Sequence, residues 1–525
     1  MRRERPVFVC AAVGGGKICR RNGNNLQMPL ASAFRALYNN KVLWKKRRSA
    51  DGQRGPTPGA ATEKIMECGF RTMRQTDTTS REDIFQNYSV PKALRVMIVP
   101  AVTSQLIVLI YNMADTFFVG QTGNPYMVAS TSLILPVFNI TLCLAGLAGI
   151  GGGALIARLL GQQREDEARR AATFSLYLGA AIAAVFSLGM ALFMEPILAL
   201  LGAGDNTYAY ARQYALCVIV TGGIPTVLSN VLSNLLRSIG RSKEAGVGII
   251  LGGLLNIALD PLFMFVLMPD GQEVLGAGVA TCLSNCAACL FFLVVLARMG
   301  KNSIITFNPR VGLAQRSSIL AVFAVGLPSA ITTFLFDLDY VIIDKLMVSY
   351  GDLALAAIGI VLKVERFPLN VGIGICQGMM PLVAYNYAAG NKQRMEDTIR
   401  LSRGLGLVIA AVSVILYELF AVQFAHLFIS DVQTVEMASQ FLRIRVLATP
   451  LMFLSFFTVY LFQAFGKGHI SLFLGVSRWV VFNIPMLFLL NTLFGMYGIV
   501  WSQATADTLT VALSFFMYFK CKPRL

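Results

Sequence analysis

From residue 92 onward the chain is a succession of long apolar blocks cut by short polar connectors. The blocks run at about 93–118, 127–157, 171–194, 208–236, 245–267 and 276–297, then 318–348, 354–386, 401–422, 437–463, 470–490 and 496–519. A helix needs roughly 20 apolar residues to cross the hydrocarbon core of a bilayer. In lipid the backbone must satisfy its own hydrogen bonds, so blocks of this length are expected to be helical. The pattern therefore predicts an all-α polytopic membrane protein with twelve transmembrane helices.

The connectors alternate in charge. Those after the odd-numbered blocks (119–126, 195–207, 268–275, 349–353, 423–436 and 491–495) contain no Lys or Arg. Those after the even-numbered blocks carry Arg164, Arg169 and Arg170; Arg241 and Lys243; Lys301, Arg310 and Arg316; Lys392, Arg394 and Arg400; Lys467; and Lys520, Lys522 and Arg524. Basic connectors are retained in the cytosol, which predicts a multi-pass protein of the cell inner (cytoplasmic) membrane with both termini cytosolic.

The two sets of six blocks repeat. The stretch 146–170, GLAGIGGGALIARLLGQQREDEARR, matches 372–400, GIGICQGMMPLVAYNYAAGNKQRMEDTIR, in its glycine-rich helix, terminal Gly and mixed-charge connector. A shift of 229 carries Gly161 onto Gly390 and Asp115 onto Asp344. Repeats of the same orientation predict two pseudo-symmetric six-helix bundles around a central cleft. The domains expected are 84–297 and 318–519, joined by a cytosolic linker at 298–317 and followed by a tail at 520–525.

Composition narrows the class further. Apolar residues make up 55% and charged residues 14%, with mean hydropathy +0.63. That excludes a water-soluble enzyme and whole-chain disorder. Of the net charge of +17, residues 1–91 hold +10, from 17 Lys+Arg and 7 Asp+Glu. The leader 1–83 contains KKRR at Lys45–Arg48 and no apolar stretch long enough for a signal peptide. It is expected to be a disordered cytosolic extension, or sequence upstream of a true start at Met66 or Met73, rather than a nucleic-acid- or lipid-binding tail.

Carboxylates at membrane depth cost several kcal/mol unless solvated or paired, so each demands a reason. Asp115 lies five residues from the outer end of the first block, about 8 Å at 1.5 Å per residue. Asp260 in NIALDPLF lies at similar depth, Asn256 precedes it by one helical turn, and Thr281 in GAGVAT enters at the same level. Two carboxylates close together in a poor dielectric cannot both stay charged without a cation. Asp115, Asn256, Asp260 and Thr281 are thus the candidate cation-coupling site, for a proton or a transient Na⁺.

The second bundle is richer in charge. FLFDLDYVIIDKLM supplies Asp337, Asp339 and Asp344, and VLKVERFPLN supplies Lys363, Glu365 and Arg366. Salt bridges from Asp337 or Asp339 to Lys363 or Arg366 are expected there. The alternative is an acidic pocket for a cationic substrate.

Other signals carry less. Cys282, Cys286 and Cys289 fit CxxxCxxC but sit in an apolar helix, where cysteine acts as a small packing residue. His426 and His469 have no ligand partners at suitable spacing, so no cofactor, resident metal or catalytic constellation is expected, and the chain is read as no enzyme.

The motifs MADTFFVG, NIALDPLF, GAGVAT and PLVAYNYAAGN, in that order, resemble those of the MATE (multidrug and toxic compound extrusion) family of transporters, and most of all its DinF-like bacterial multidrug-efflux branch. The resemblance covers about 84–519. It implies a cation-coupled (H⁺ or Na⁺) antiporter exporting amphipathic, often cationic drugs or toxic metabolites by alternating access. The implied partners are organic cations and membrane lipid, without nucleic acid, around a monomer. It places Asp115 and Asp260 at the branch's first-bundle carboxylates, Pro100 at a bend of the first helix, and Gln377, Pro381 and Asn386 in the eighth helix. Asp337, Asp339, Glu365, Gln377 and Asn386 are the candidate cleft residues. The alternative function is a flippase for a lipid-linked precursor, which needs a cleft lined by Arg and Lys; Arg212 is its main first-bundle candidate.

Overall fold

The computed structural model describes residues 9–13, 16–20, 83–299, 303–308, 311 and 316–521. The chain divides into two units, Met1–Asp77 and Thr78–Leu525. In the first, β1 (Val9–Val13) and β2 (Gly16–Arg20) pair antiparallel, with Val9 opposite Arg20. The expected disordered extension otherwise falls, up to residue 82, outside the described residues.

The described residues of the second unit are mostly helical. In chain order its long helices are α1 (Val90–Gly120), α2 (Pro125–Gly161), α3 (Glu165–Leu192), α4 (Asp205–Thr221 with Gly223–Ser238), α5 (Ser242–Leu267) and α6 (Glu273–Met299). The second set is α7 (Arg316–Val348), α8 (Asp352–Ala388), α9 (Lys392–His426), α10 (Val432–Val446 with Thr449–Ala464), α11 (Gly468–Phe494) and α12 (Met496–Cys521). They fill the twelve predicted blocks. Among the described residues, nine are long and apolar enough to cross a membrane unaided, and the two bent pairs raise this to eleven. Helix α12 is the twelfth. Its Ser502, Gln503, Thr505, Asp507, Thr508 and Thr510 dilute its apolar character. One further short helix, Met194–Leu200, overlaps the connector predicted at 195–207.

Local chemistry explains the boundaries. At the start of α2 the Asn124 side chain accepts from the Tyr126 N–H at 3.0 Å, with Pro125 as the first helical residue, where its missing donor costs nothing. Asn391 caps α9 by accepting from the Arg394 N–H at 3.1 Å. Gly390 ends the preceding helix at φ 74°, a left-handed conformation that glycine adopts without strain.

The repeat is visible in the distortions as well as in the order. α2 and α8 are both 37 residues long. α4 bends by 45° and α10 by 48°. α5 carries a π-helical turn at Phe263–Leu267, and α11 carries one at Ser477–Asn483. The bundles meet by packing α1 on α8 and α2 on α7. A Cβ on Gly374 would stand 2.6 Å from Cα of Val102, and one on Gly378 2.7 Å from Cα of Ile98. Gly151 and Gly326 bring α2 and α7 together in the same way. All four glycines lie toward the end that carries the basic connectors, so the seam between the bundles is closed there.

Candidate functional site

Helix α5 places Asn256 and Asp260 one turn apart, both buried. Pro261 follows inside the helix and lacks an N–H, so the regular bond to the Ile257 carbonyl cannot form. The π-helical turn begins two residues later, which makes the backbone around Asp260 irregular. The glycines of GAGVAT explain how α6 approaches. A Cβ on Gly276 would lie 2.8 Å from the Met264 backbone, and one on Gly278 2.9 Å from the Cys217 side chain. Their bareness brings Thr281 alongside α5.

The Asn256 Nδ2 donates to Asp260 Oδ1 and to Thr281 Oγ1, both at 3.2 Å. From α4, the Tyr214 hydroxyl donates to Asp115 Oδ2 at 3.4 Å. Asp115 and Asp260 lie within electrostatic reach of each other and of Tyr111 and Tyr214. The four residues expected to converge are thus brought into one region of the first bundle, with Asp260 fully buried and Asp115 half-buried. Three buried oxygens there have no hydrogen-bond partner: Asp115 Oδ1, Asn256 Oδ1 and Asp260 Oδ2. Among the described residues no Lys or Arg forms an ion pair with either carboxylate. Such a set of oxygens, negative and uncompensated, can take up a proton or a small cation. Pro100 lies inside a continuous α1, and a Cβ on Gly246 of α5 would stand 2.8 Å from the Pro100 Cβ.

The second bundle is arranged otherwise, and there the expected salt bridges give way to different ones. Lys363 is exposed on α8, and Arg366 stacks over the Tyr340 ring at 4.9 Å. Asp339 instead accepts from Asn483 Nδ2 at 2.5 Å. Asp337 is half-buried within the field of Arg366 but forms no ion pair with it. Arg445 of α10 grips Glu365 through two bonds, Nε to Oε2 at 2.7 Å and Nη2 to Oε1 at 2.8 Å, and also donates to Gln503. The Tyr340 hydroxyl donates to the same carboxylate at 3.2 Å. Arg478 of α11 donates from Nε to Asp507 Oδ1 at 2.7 Å while lying over the rings of Phe456 and Trp479. Arg445, Arg478, Gln503 and Asp507 carry no spacing signal that sequence reading could use.

The remaining cleft residues sit apart from these. Gln377 accepts from Arg237 Nη1 at 2.6 Å, and Arg237 Nη2 donates to Ser104 at 3.0 Å, so this buried arginine ties α4 to α1 and α8. Asn386 is buried and bonds back to the Leu382 carbonyl of its own helix at 2.8 Å. Among the described residues no three His, Cys, Asp or Glu side chains are grouped to hold a metal ion.

The family model MatE matches the chain twice, at residues 100–262 and 328–489, so its two copies begin at Pro100 and Pro328. The multidrug export protein MepA of Staphylococcus aureus strain MSSA476 is 30% identical, over 84% of this chain and 96% of its own. MepA of Staphylococcus haemolyticus strain JCSC1435 is 29% identical with the same coverage. The fold is shared with the outward-facing structure of a multidrug resistance MATE family transporter of the MOP superfamily. That match has a TM-score of 0.78 at 23% identity and covers 84% of this chain and 98% of that one. A MATE structure in complex with MaL6 matches at TM-score 0.79 and 22% identity, with the same coverage. With two matched copies spanning both bundles of a multi-pass membrane protein, this chain belongs to the MatE family.

Proposed function

We propose that this transporter, which is not an enzyme, is a cation-coupled antiporter that expels amphipathic organic compounds, often cationic, by alternating access. The observation that carries the reading is the Asp260 carboxylate, fully buried beside Asn256 and Thr281 with one oxygen unpartnered and no cation paired to it. A charge in that position is stable only when something neutralises it. Uptake of H⁺ or Na⁺ from the end opposite the basic connectors supplies that neutralisation. Release at the basic end, which the connector charges place in the cytosol, restores the carboxylates. Neutralisation relaxes the field around Asp115, and α1, with Pro100 in its span, is the element that transmits the change toward the seam with α8. The multidrug-export names of the relatives support organic compounds as cargo. The flippase alternative would need free cations in the cleft; the buried Arg445 and Arg478 are committed to carboxylates and Arg237 to Ser104 and Gln377, while its first-bundle candidate, Arg212, is exposed on α4.

Uptake of a fluorescent organic cation into inverted vesicles, under separately imposed pH and Na⁺ gradients, tests this. One gradient is expected to drive uptake in the wild type, and neither in Asp115→Asn or Asp260→Asn. Full gradient-driven uptake by both variants would refute the assignment.

A further inference from the structure

Ahead of α1, residues Asp83–Asn87 form one π-helical turn that sits at the closed, basic-connector end of the seam. Phe85 in this turn is fully buried. Its ring stacks on Tyr385 of α8, with centroids 4.7 Å apart and planes 14° from parallel. The ring also meets Gly240, in the turn between α4 and α5. Gly240 is held at φ 86°, and a Cβ there would stand 3.1 Å from the Phe85 ring. Arg394 of α9 donates from Nε to the Phe85 carbonyl at 2.8 Å and from Nη2 to the Ile84 carbonyl at 3.2 Å. Gln86 Nε2 donates to the Tyr385 hydroxyl at 2.5 Å, and Gln163, in the turn after α2, donates to the same oxygen at 3.4 Å.

These contacts divide by bundle. Gly240 and Gln163 belong to the first, and Tyr385 and Arg394 to the second. A short segment continuous with the first bundle therefore buries its aromatic ring between the two and has its carbonyls held by the second. Opening this end must part Gly240 and Gln163 from Tyr385 and Arg394, and Phe85 cannot keep both contacts once they separate. A contact present in one conformation and lost in the other shifts the equilibrium by its full differential strength.

We infer that Asp83–Asn87 is a latch: it holds the basic-connector end of the seam shut, and withdrawal of Phe85 from between Gly240 and Tyr385 is a required step in opening that end. The latch sets the ratio of the two access states without touching the carboxylates of the cation site. The inference rests on the alternating-access reading above.

Pulsed dipolar spectroscopy on the full chain, with native cysteines replaced, tests it. Spin labels at Asp166→Cys and Lys392→Cys, exposed positions at the starts of α3 and α9, report the separation of the bundles at this end. Phe85→Ala is expected to raise the ratio of long-distance to short-distance populations about tenfold or more over the wild type, as deletion of a buried phenyl contact from one state requires. Arg394→Gln, which leaves the ring in place, is expected to shift the ratio less, in the same direction; it also carries the test if Phe85→Ala does not fold. Wild-type protein that shows both distances as pH, Na⁺ or a fluorescent organic cation is varied, with both variants superimposable on it, would overturn the latch alone. A single short distance in wild type and variants under every condition would overturn alternating access, and the latch with it.

Discussion

The two bundles share one architecture and both bury carboxylates, at different positions, yet they surround those charges differently. In the second bundle Glu365 is ion-paired with Arg445 and Asp507 with Arg478, while Asp339 takes a hydrogen bond from the neutral Asn483 amide within the field of both arginines. In the first, Asp115 and Asp260 have only neutral donors, a tyrosine hydroxyl and an asparagine amide. A buried ion pair with good geometry is electrically complete, and taking away one member leaves an orphan charge. A carboxylate with only neutral neighbours is incomplete until something mobile arrives. On the proposed reading, the difference separates a bundle whose charges hold structure from one whose charges exchange.

The same chemical change, acid to amide, should therefore have opposite consequences in the two bundles. Asp260→Asn removes an uncompensated buried charge, so gradient-driven uptake in vesicles is expected to fall to background while thermal stability in detergent holds or rises. Glu365→Gln leaves Arg445 without a counter-charge, and a loss of about 3–5 kcal/mol of stability is expected, measured by denaturation of the purified protein. Replacing Glu365 and Arg445 together by Met should recover most of that loss, since a buried pair contributes little over apolar residues of similar volume. A destabilised Asp260→Asn beside an unaffected Glu365→Gln would reverse the roles assigned to the bundles.

What sequence could reveal follows the same division. Asp115 and Asp260 stand out because each is a lone acid in an apolar run. Asn256 is legible beside Asp260 through helical spacing alone. The twelve helices, their repeat and the charge alternation of their connectors are equally local patterns. The compensating partners are not. Arg445 lies 80 residues from Glu365, and Asp507 lies 29 from Arg478 on the next helix, so their meetings depend on how helices pack. Nearest-neighbour reasoning assigned Asp337 and Asp339 to Lys363 and Arg366, whereas Lys363 is exposed and Arg366 is taken by the Tyr340 ring. Tyr214 was hidden because a tyrosine in a membrane helix carries no mark of its partner. The π-helical turns were hidden because they depend on where Pro261 and its neighbours lie against α6.

Tyr214 sharpens the contrast at a smaller scale. Its hydroxyl is the hydrogen-bond donor to Asp115, at a rather long 3.4 Å. Tyr214→Phe keeps the ring and removes the bond, so the half-saturating concentration of the driving cation in vesicle uptake is expected to change about fivefold, the size of one modest hydrogen bond. An unchanged value would remove Tyr214 from the site and leave the carboxylates with Asn256 and Thr281.

The smallest effect lies outside the membrane, where α4 and α10, the bent helices of the two bundles, begin differently. Asp431 caps α10, its Oδ2 accepting from the Thr434 hydroxyl at 2.7 Å and from the Thr434 N–H at 2.9 Å. The hydroxyl bond, then the backbone bond, holds this carboxyl below its ordinary range. α4 begins at Gly204, which has no side chain to accept; there the Gly204 N–H donates to Thr207 Oγ1 at 3.0 Å. A depressed folded value means that Asp431 contributes stability above the ordinary carboxylate range, and that this contribution disappears as pH falls through the depressed value. Asp431→Ala should thus lower the melting temperature slightly and by a constant amount from neutral pH down to about pH 5, the gap closing below about pH 4. A gap that persists at the acid end would mean that the side chain acts by packing and not by charge, and the two helix starts would then differ in shape alone.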